Sequence, residues 1–191
     1  MMIVTLLQQT YGVDTPSTVT DADILDIAAG KPDAVARLYE KTHKGLYGFI
    51  LSITRNPHDT EDALQDTFLA VCRSAQSYRP KGKPMAWLYT VAKNAARMKL
   101  RKASDHLSFE DALHGDEAFG RIENLEDRLL LETALTQLSE EERKILFLRA
   151  LSGLTSREIA SLLGLPLNTV LSKYHRTTKK LKQYFEKEHQ S

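Results

Sequence analysis

The chain has 191 residues, 42% hydrophobic and 27% charged, with a formal net charge of +1, so it can bury a core but is not a uniformly basic coat for nucleic acid. Its single cysteine, Cys72, excludes an internal disulfide, and no thiolate zinc site is visible. No stretch approaches the roughly 20 apolar residues of a membrane span, and the N-terminus lacks a basic leader, so we expect a cytoplasmic protein without membrane insertion.

The composition favours an all-helical fold, because Leu, Ala, Lys and Glu are plentiful while Gly and Pro are scarce. The distribution of charge is more informative than its sum. Residues 67–104 contain nine Lys or Arg and no acid, residues 105–127 contain eight acids against one Arg, and no acid lies between Glu158 and Glu186. Two basic blocks separated by an acidic one predict two DNA-facing surfaces joined by a segment that avoids DNA.

The first half of the chain begins with an extension of mixed character, residues 1–20, followed by a short helix that Gly30 stops. A longer helix is predicted from Pro32 to the break at Asn56-Pro57, and Asp59 is the expected cap of the next one. That next helix carries polar or acidic residues on its outer side, namely Glu61, Asp62, Gln65 and Asp66. From spacing alone, such a face is usually just solvated.

A basic loop, residues 76–83, precedes a helix predicted from Pro84 to about Lys102. The loop contributes Tyr78, Lys81 and Lys83, and one stripe of the helix contains Trp87, Thr90, Asn94, Arg97 and Arg101. Rings and cations so arranged suit single-stranded nucleic acid, because bases stack on rings while Lys and Arg follow the phosphates. The sequence of this segment fits an alternative equally well, in which Trp87 belongs to the core and the cations are simply solvated.

An acidic segment of weak periodicity, residues 103–121, is predicted to be a linker, and helical patterning resumes at Ile122. Ser139 and Glu142 have the spacing of a capping box, as do Thr155 and Glu158. Gly164 and Pro166 mark a tight corner, after which a last helix is expected from about Leu167 to the mid-180s. Its polar, basic side and apolar back are typical of a helix-turn-helix that enters a DNA major groove.

Three stretches, in this order, resemble an extracytoplasmic-function sigma factor of bacterial RNA polymerase, a group within the sigma-70 family. DTEDALQDTFLAV (59–71) is similar to the group's polymerase-docking helix, and KPMAWLYTVAKNAARMKLRK (83–102) to the helix that opens and reads the −10 promoter element. GLTSREIASLLGLPLNTVLSKYHRTTKKL (153–181) is similar to the helix-turn-helix that reads the −35 element. A helix-turn-helix alone occurs in many regulators, whereas all three stretches in this order, with a linker between them, are a specific signal for this group of sigma factors.

The resemblance implies an all-α protein of two small helical domains joined by a flexible acidic linker. Region 2 would occupy residues 21–102 and region 4 residues 122–191, with the linker at 103–121. Its implied partners are core RNA polymerase, through the β′ clamp helices and the β flap, promoter DNA, and an anti-sigma factor. It implies no catalytic residue, metal or cofactor.

The resemblance also assigns roles to individual positions. Polymerase binding falls on Glu61, Asp62, Gln65, Asp66 and Phe68. Contact with the −10 element is assigned to Tyr78, Lys81, Lys83, Trp87, Asn94, Arg97 and Arg101. Contact with the −35 element is assigned to Asn168, Thr169, Ser172, Lys173, Arg176 and Lys179. Leu171 stands where the family commonly has Lys or Arg, so the −35 sequence preference does not carry over.

Two other functions are weighed against a sigma factor. A transcriptional regulator with a helix-turn-helix would bind duplex DNA without being a polymerase subunit, but it leaves the basic helix of the first half unexplained. An all-helical metal enzyme would need clustered ligands, whereas the six histidines are scattered and no two of them form an HxxxH pair.

Overall fold

A computed structural model describes residues 19–102 and 133–188. Its α-helices are α1 (Asp21–Ala28), α2 (Ala34–Thr54), α3 (Pro57–Ser74), α4 (Pro84–Lys102), α5 (Glu140–Leu151), α6 (Ser156–Leu163) and α7 (Leu167–Glu188), with a 3₁₀ turn at Ala75–Ser77. These ranges contain helices, turns and loops but no β-strand, and the all-α prediction is confirmed. Almost all of the N-terminal extension, and the whole linker, lie outside the described residues.

The helix-turn-helix forms as its local sequence predicts. The Thr155 backbone N–H donates to the Glu158 carboxylate at 2.9 Å, and the Glu158 N–H donates back to Thr155 Oγ1 at 3.3 Å. Gly164 then adopts φ 71°, a left-handed conformation that costs glycine little, so α6 ends there and α7 begins at Leu167. A second capping box joins Ser139 and Glu142 at the start of α5.

Two helix starts differ from the sequence-based prediction. Helix α3 begins at Pro57, and its cap is Asn56 rather than Asp59, because the Asn56 side chain accepts the Asp59 N–H at 3.1 Å. Proline suits the first helical position, where its missing N–H is not needed and its φ is already helical. Helix α2 begins at Ala34 rather than Pro32, after Asp33 at φ 57°.

The long helix α2 is the centre of the molecule. It packs against α1, α3 and α4 of the first half and against α5 of the second half. Its buried side chains, among them Leu38, Leu46, Phe49 and Ile50, join Leu88 of α4 in one apolar cluster. The part of the chain that the structure describes holds no helix long and apolar enough to cross a membrane.

The same apolar cluster continues into the second half through Ile145 and Leu148 of α5. Gly45 of α2 lies at a close approach, because a Cβ there would stand 2.8 Å from the Tyr89 hydroxyl oxygen and 3.1 Å from the Leu151 carbonyl oxygen. Only glycine fits at this point without displacing its neighbours. The two halves are therefore packed together by close apolar contact.

Polar contacts tie the halves together at two further points. The Arg55 guanidinium at the end of α2 pairs with the Glu140 carboxylate at the start of α5. Lys93 of α4 donates from Nζ to the carbonyl oxygen of Leu162, near the end of α6. We refer to the packing of α2 on α5 and of α4 on α6 as the docking interface.

Candidate polymerase and nucleic-acid interfaces

The acidic face of α3, defined by Glu61, Asp62, Gln65 and Asp66, lies at the surface, with only Asp62 half-buried. Lys99 of α4 reaches it, with Nζ 2.9 Å from Asp62 and 3.9 Å from Asp66. The hydrogen bond from Lys99 lowers the pKa of Asp62, and the same bond raises the pKa of Lys99. Asp62 therefore stays ionised at neutral pH.

An apolar groove runs beside the acidic face, between α2 and α3, with a volume of about 380 Å³. Phe68 is 8% exposed and packs with its ring centroid 5.0 Å from that of Tyr39, so it lines the groove more than it projects from it. Leu69 is 49% and Tyr39 40% exposed, which is unusual for large apolar side chains. Sequence reasoning missed Leu69, although it follows Glu61 and Gln65 at helical spacing.

Helix α4 exposes the polar stripe that its sequence predicts. Asn94, Arg97 and Arg101 are all exposed, and Lys81 and Lys83 are exposed in the loop before the helix. Lys93 lies one turn before Arg97 but is half-buried against α6. Burial lowers the pKa of Lys93, and repulsion from Arg97 adds to that effect.

The aromatic residues of this region are placed differently from the cations. Tyr78 is only 7% exposed, and its hydroxyl donates to Asp21 of α1. Burial, followed by this carboxylate acceptor, raises the pKa of Tyr78 far above its usual range. The Trp87 ring is half-buried with its centroid 5.0 Å from that of Tyr78, so Tyr78 offers little free surface to a base.

Asp21 also fixes the basic loop, because its other carboxylate oxygen accepts the Gly82 backbone N–H at 2.8 Å. Gly82 has φ 66°, a left-handed conformation in which glycine carries no steric penalty. Asp21 therefore holds the loop at Tyr78 and at Gly82, on either side of Arg79 and Lys81. Nothing in the local sequence of the loop predicts this long-range contact.

A pocket of about 640 Å³ opens between α3 and α4, next to Asn94. Its polar lining consists of Asp66 from the acidic face, Arg73, Ser74, Ser77 and Asn94, and its apolar lining of Ala70, Val91, Ala95 and Met98. Sequence reasoning missed Arg73 and Ser74, whereas Ser77 belongs to the basic loop that it singled out. The signal for Arg73 and Ser74 is positional, since they close the C-terminal end of α3 shortly before the basic loop.

The polar side of α7 is open to solvent at Asn168, Ser172, Arg176 and Lys179, as predicted for a major-groove helix. Thr169 is half-buried, and Lys173 turns away from this side to pair with Glu141 of α5 at 3.0 Å. Leu171 is 46% exposed and lies on the open side. The apolar back of the helix, including Val170, Leu181 and Phe185, is buried.

No group of three His, Cys, Asp or Glu side chains among the described residues is placed to hold a metal ion. The metal-enzyme alternative therefore finds no ligand set in residues 19–102 and 133–188.

Two family profiles match the chain in the expected order. Residues 38–106 match sigma-70 region 2, and residues 128–181 match sigma-70 region 4. The ECF RNA polymerase sigma factor SigK of Mycobacterium sp. (strain KMS) is 33% identical over 174 residues, covering 86% of this chain and 90% of that protein. The RNA polymerase sigma factor CarQ of Myxococcus xanthus is 32% identical over 157 residues, covering 81% of this chain and 90% of CarQ.

Solved structures show the same fold at lower sequence identity. CnrH, in complex with the cytosolic domain of CnrY, superposes with a TM-score of 0.61 at 22% identity, over 87% of this chain and 96% of that one. The sigma factor RpoE of Bartonella quintana, in complex with the anti-sigma factor NepR, gives 0.59 at 19% identity, over 81% and 98%.

Proposed function

The chain belongs to the extracytoplasmic-function sigma factors of the sigma-70 family, and on this basis we propose which of its exposed residues contact the polymerase and which contact promoter DNA. As a sigma factor, it binds core RNA polymerase and directs promoter recognition, DNA melting and initiation. We propose that it performs no chemistry of its own. The observation that carries the assignment of roles is one chain with an acidic face on α3 and separate polar, basic faces on α4 and α7.

The acidic face of α3 is the proposed docking site for the β′ clamp helices of the polymerase. Its carboxylates lie beside the groove of Tyr39, Phe68 and Leu69, so charged and apolar contacts are offered together. A partner with basic residues around an apolar ridge fits such a surface, because charge then steers the encounter and apolar burial stabilises the complex. Lys99 limits the net charge of the face without removing it.

The exposed stripe of α4 and the basic loop are the proposed −10 contact. Lys81, Lys83, Arg97 and Arg101 would follow the phosphates, while the pocket beside Asn94 would accept an unstacked base of the melted strand. Each base so held contributes about 1–3 kcal/mol, which offsets part of the cost of melting. Trp87 and Tyr78 would support the loop, with Trp87 alone offering ring surface.

The open side of α7 is the proposed −35 contact. Asn168, Ser172 and Arg176 can reach base edges in a major groove, and Lys179 a phosphate. Thr169 and Lys173 lie at the border of this side, where Lys173 would first have to leave Glu141. Region 4 would also meet the β flap of the polymerase.

Regulation by an anti-sigma factor is proposed for this protein, since one structural neighbour, the sigma factor RpoE of Bartonella quintana, was solved with the anti-sigma factor NepR. Because the proposed partners are the polymerase and the chromosome, we place its action in the cytoplasm.

Run-off transcription on a genomic library tests the function directly. Core RNA polymerase with the purified chain should start transcripts at a defined set of promoters, and core enzyme alone should not. Binding of the chain to duplex DNA, with no promoter-specific transcript in any reaction, would instead favour the helix-turn-helix regulator.

A further inference from the structure

The exposed part of the basic loop, residues 79–83, has few contacts of its own that would keep it in one conformation. Arg79, Lys81 and Lys83 are exposed, and none of them forms an ion pair with another described residue. A Cβ at Gly82 would meet no atom within 4 Å, so the space beside the loop is open there. Side-chain packing at this point therefore does not fix the loop.

Asp21, the first residue of α1, supplies hydrogen bonds that do fix it. One carboxylate oxygen accepts from the Tyr78 hydroxyl, and the other accepts the Gly82 backbone N–H at 2.8 Å. Because both acceptors belong to one carboxylate, the two bonds fix Tyr78 and Gly82 relative to each other. The segment between them, which contains Arg79 and Lys81, is thereby held at both of its ends.

Helix α1 is a firm support for this carboxylate. Ile24 is fully buried in the core of the molecule, and Asp23 pairs with Lys41 of α2. Helix α1 also packs directly against the 3₁₀ turn that precedes the basic loop. Asp21 therefore fixes the loop to a rigid element that lies far from it in the sequence.

We propose that Asp21 is a positioning residue for the −10 contact. It touches no base itself, and it holds the basic loop in the conformation in which Arg79 and Lys81 face the melted strand. This inference rests on the proposed function and adds to it a residue that lies outside the proposed DNA faces. A loop that is already ordered loses less conformational entropy on binding, so Asp21 increases both affinity and discrimination between bases.

The sign of the effect separates positioning from charge. A carboxylate beside a basic loop repels phosphates, so its removal would tighten DNA binding if charge alone mattered. Asp21→Ala loses both hydrogen bonds and should instead weaken binding. Asp21→Asn loses the charge but retains the geometry, because its Oδ1 can accept the Gly82 N–H while its Nδ2 donates to the Tyr78 hydroxyl oxygen.

Amide hydrogen exchange at Gly82 reports on the loop in the free, full-length chain. The wild type should exchange this amide at least about tenfold more slowly than an unstructured peptide, since the N–H is bonded. Asp21→Ala should remove the protection, and Asp21→Asn should keep it. An unprotected Gly82 amide in the wild type would overturn the proposal.

Promoter binding by core polymerase that carries each variant tests the function of the loop. The DNA has a single-stranded −10 element, and single-base changes within that element measure discrimination. Asp21→Ala should bind about tenfold more weakly and discriminate less, since an unheld loop must be ordered on binding. Tyr78→Phe keeps the buried ring, removes one of the two bonds and should give a smaller loss. Across the series, affinity should follow the protection of the Gly82 amide.

Asp23→Asn is the matched control, because Asp23 lies in the same helix turn but bonds to Thr20 and Lys41 instead of the loop. It should leave affinity and base discrimination unchanged. Wild-type affinity or tighter binding in Asp21→Ala would overturn the proposal. So would weaker binding by Asp21→Asn with its Gly82 amide still protected, since charge would then be the cause. An equal loss on duplex DNA that carries only the −35 element would make Asp21 a general structural residue and also overturn it.

Run-off transcription by the wild type separates the two levels of inference. Promoter-specific transcripts, together with unchanged base discrimination in Asp21→Ala, would leave the proposed function standing and remove the positioning role. Absence of transcripts from every promoter would remove the proposed function and the positioning role that rests on it, even if the Gly82 amide is protected.

Discussion

Arg176 lies exposed on the open side of α7, and its Nε donates to the Ser172 carbonyl oxygen at 3.4 Å. We expect Arg176→Ala to lower promoter-dependent transcription while core-polymerase binding stays unchanged. A guanidinium contact to a base is worth about 1–3 kcal/mol, so the loss should be at least about fivefold. Run-off transcription and a pull-down with core enzyme measure the two effects. Lys31→Ala, which removes an exposed cation between α1 and α2 outside the proposed DNA contacts, is the control, and parallel losses in both assays would contradict the assignment.

Leu171 presents an apolar group, 46% exposed, among the polar residues of the same helix side. The apolar group that bases offer in the major groove is the thymine methyl. We therefore expect the protein to bind promoter DNA more weakly when one thymine of the −35 element is replaced by deoxyuridine, which lacks the methyl group. The loss should be roughly the 0.8 kcal/mol of one buried carbon. The effect should vanish in Leu171→Ala. Promoter-binding titrations of both proteins on both DNAs form the test, and equal sensitivity in the two proteins would reject it.

At the scale of elements, α3 carries the proposed polymerase contact. Asp66 is exposed on its acidic face and lies 3.9 Å from Lys99, too far for a strong bond. We expect Asp66→Arg to weaken competition for core polymerase at least tenfold, since a like charge would then face the basic partner. Glu40→Arg, on α2 and outside the acidic face, is the control for added positive charge. If Asp66→Arg competes for core polymerase as well as the wild type does, α3 is not the helix that binds the polymerase.

Helix α1 depends on a carboxylate at its start. Asp23 accepts hydrogen bonds from the Thr20 backbone N–H at 2.8 Å and from Thr20 Oγ1 at 3.0 Å, and pairs with Lys41 of α2. Burial by itself would raise the pKa of Asp23, but the Lys41 and Thr20 hydrogen bonds together outweigh it and lower the pKa. The carboxylate therefore stabilises the fold above its ordinary pKa of about 3.9, and the gain is lost as pH falls through the lower folded value.

Asp23→Asn should accordingly reduce the free energy of unfolding at pH 7 by about 0.5–1 kcal/mol, a modest value because solvent screens the pair. The difference from the wild type should shrink below about pH 4, where both chains lack the charge. Urea denaturation followed by circular dichroism at several pH values measures it. If the difference in the free energy of unfolding stays constant down to pH 2.5, Asp23 does not stabilise the fold through its charge.

Elements with strong local signals could be predicted from the sequence. The Thr155–Glu158 box and Gly164 predict the limits of α6 because every partner lies within a few residues. The environment of Tyr78 could not be predicted, because its partner Asp21 lies 57 residues away and a loop tyrosine looks exposed. The pairing of Lys173 with Glu141 could not be predicted either. Helical periodicity places Lys173 near the DNA side, and only the packing of α5 on α7 brings Glu141 to it.

At the scale of the whole molecule, the shared core should make the two halves unfold together. Trp87, the single tryptophan, reports on the first half, whereas circular dichroism reports on all helices. We expect both signals to give one coincident transition in urea, as a two-state protein does. Two separated transitions would mean that the halves are independent.

Gly45→Ala tests the same core at its closest approach. The new methyl would stand 2.8 Å from the Tyr89 hydroxyl and 3.1 Å from the Leu151 carbonyl oxygen, so we expect a loss of about 1–3 kcal/mol from overpacking. Alanine would otherwise favour the helix by about 1 kcal/mol, and a stabilised variant would therefore show that the halves do not meet at Gly45. Sequence reasoning could not foresee this contact, because a glycine inside a helical pattern signals only a weaker helix.

Lys93, which donates to the end of α6, lies one turn before Arg97 and two turns before Arg101. Its ammonium is thereby held by the second half of the molecule, while Arg97 and Arg101 remain exposed. Each phosphate that a protein neutralises steepens the salt dependence of DNA binding by about 0.9 in the log–log slope. The slope measured for the −10 contact should therefore count the exposed cations of α4 and of the basic loop, and Lys93 should not add to it.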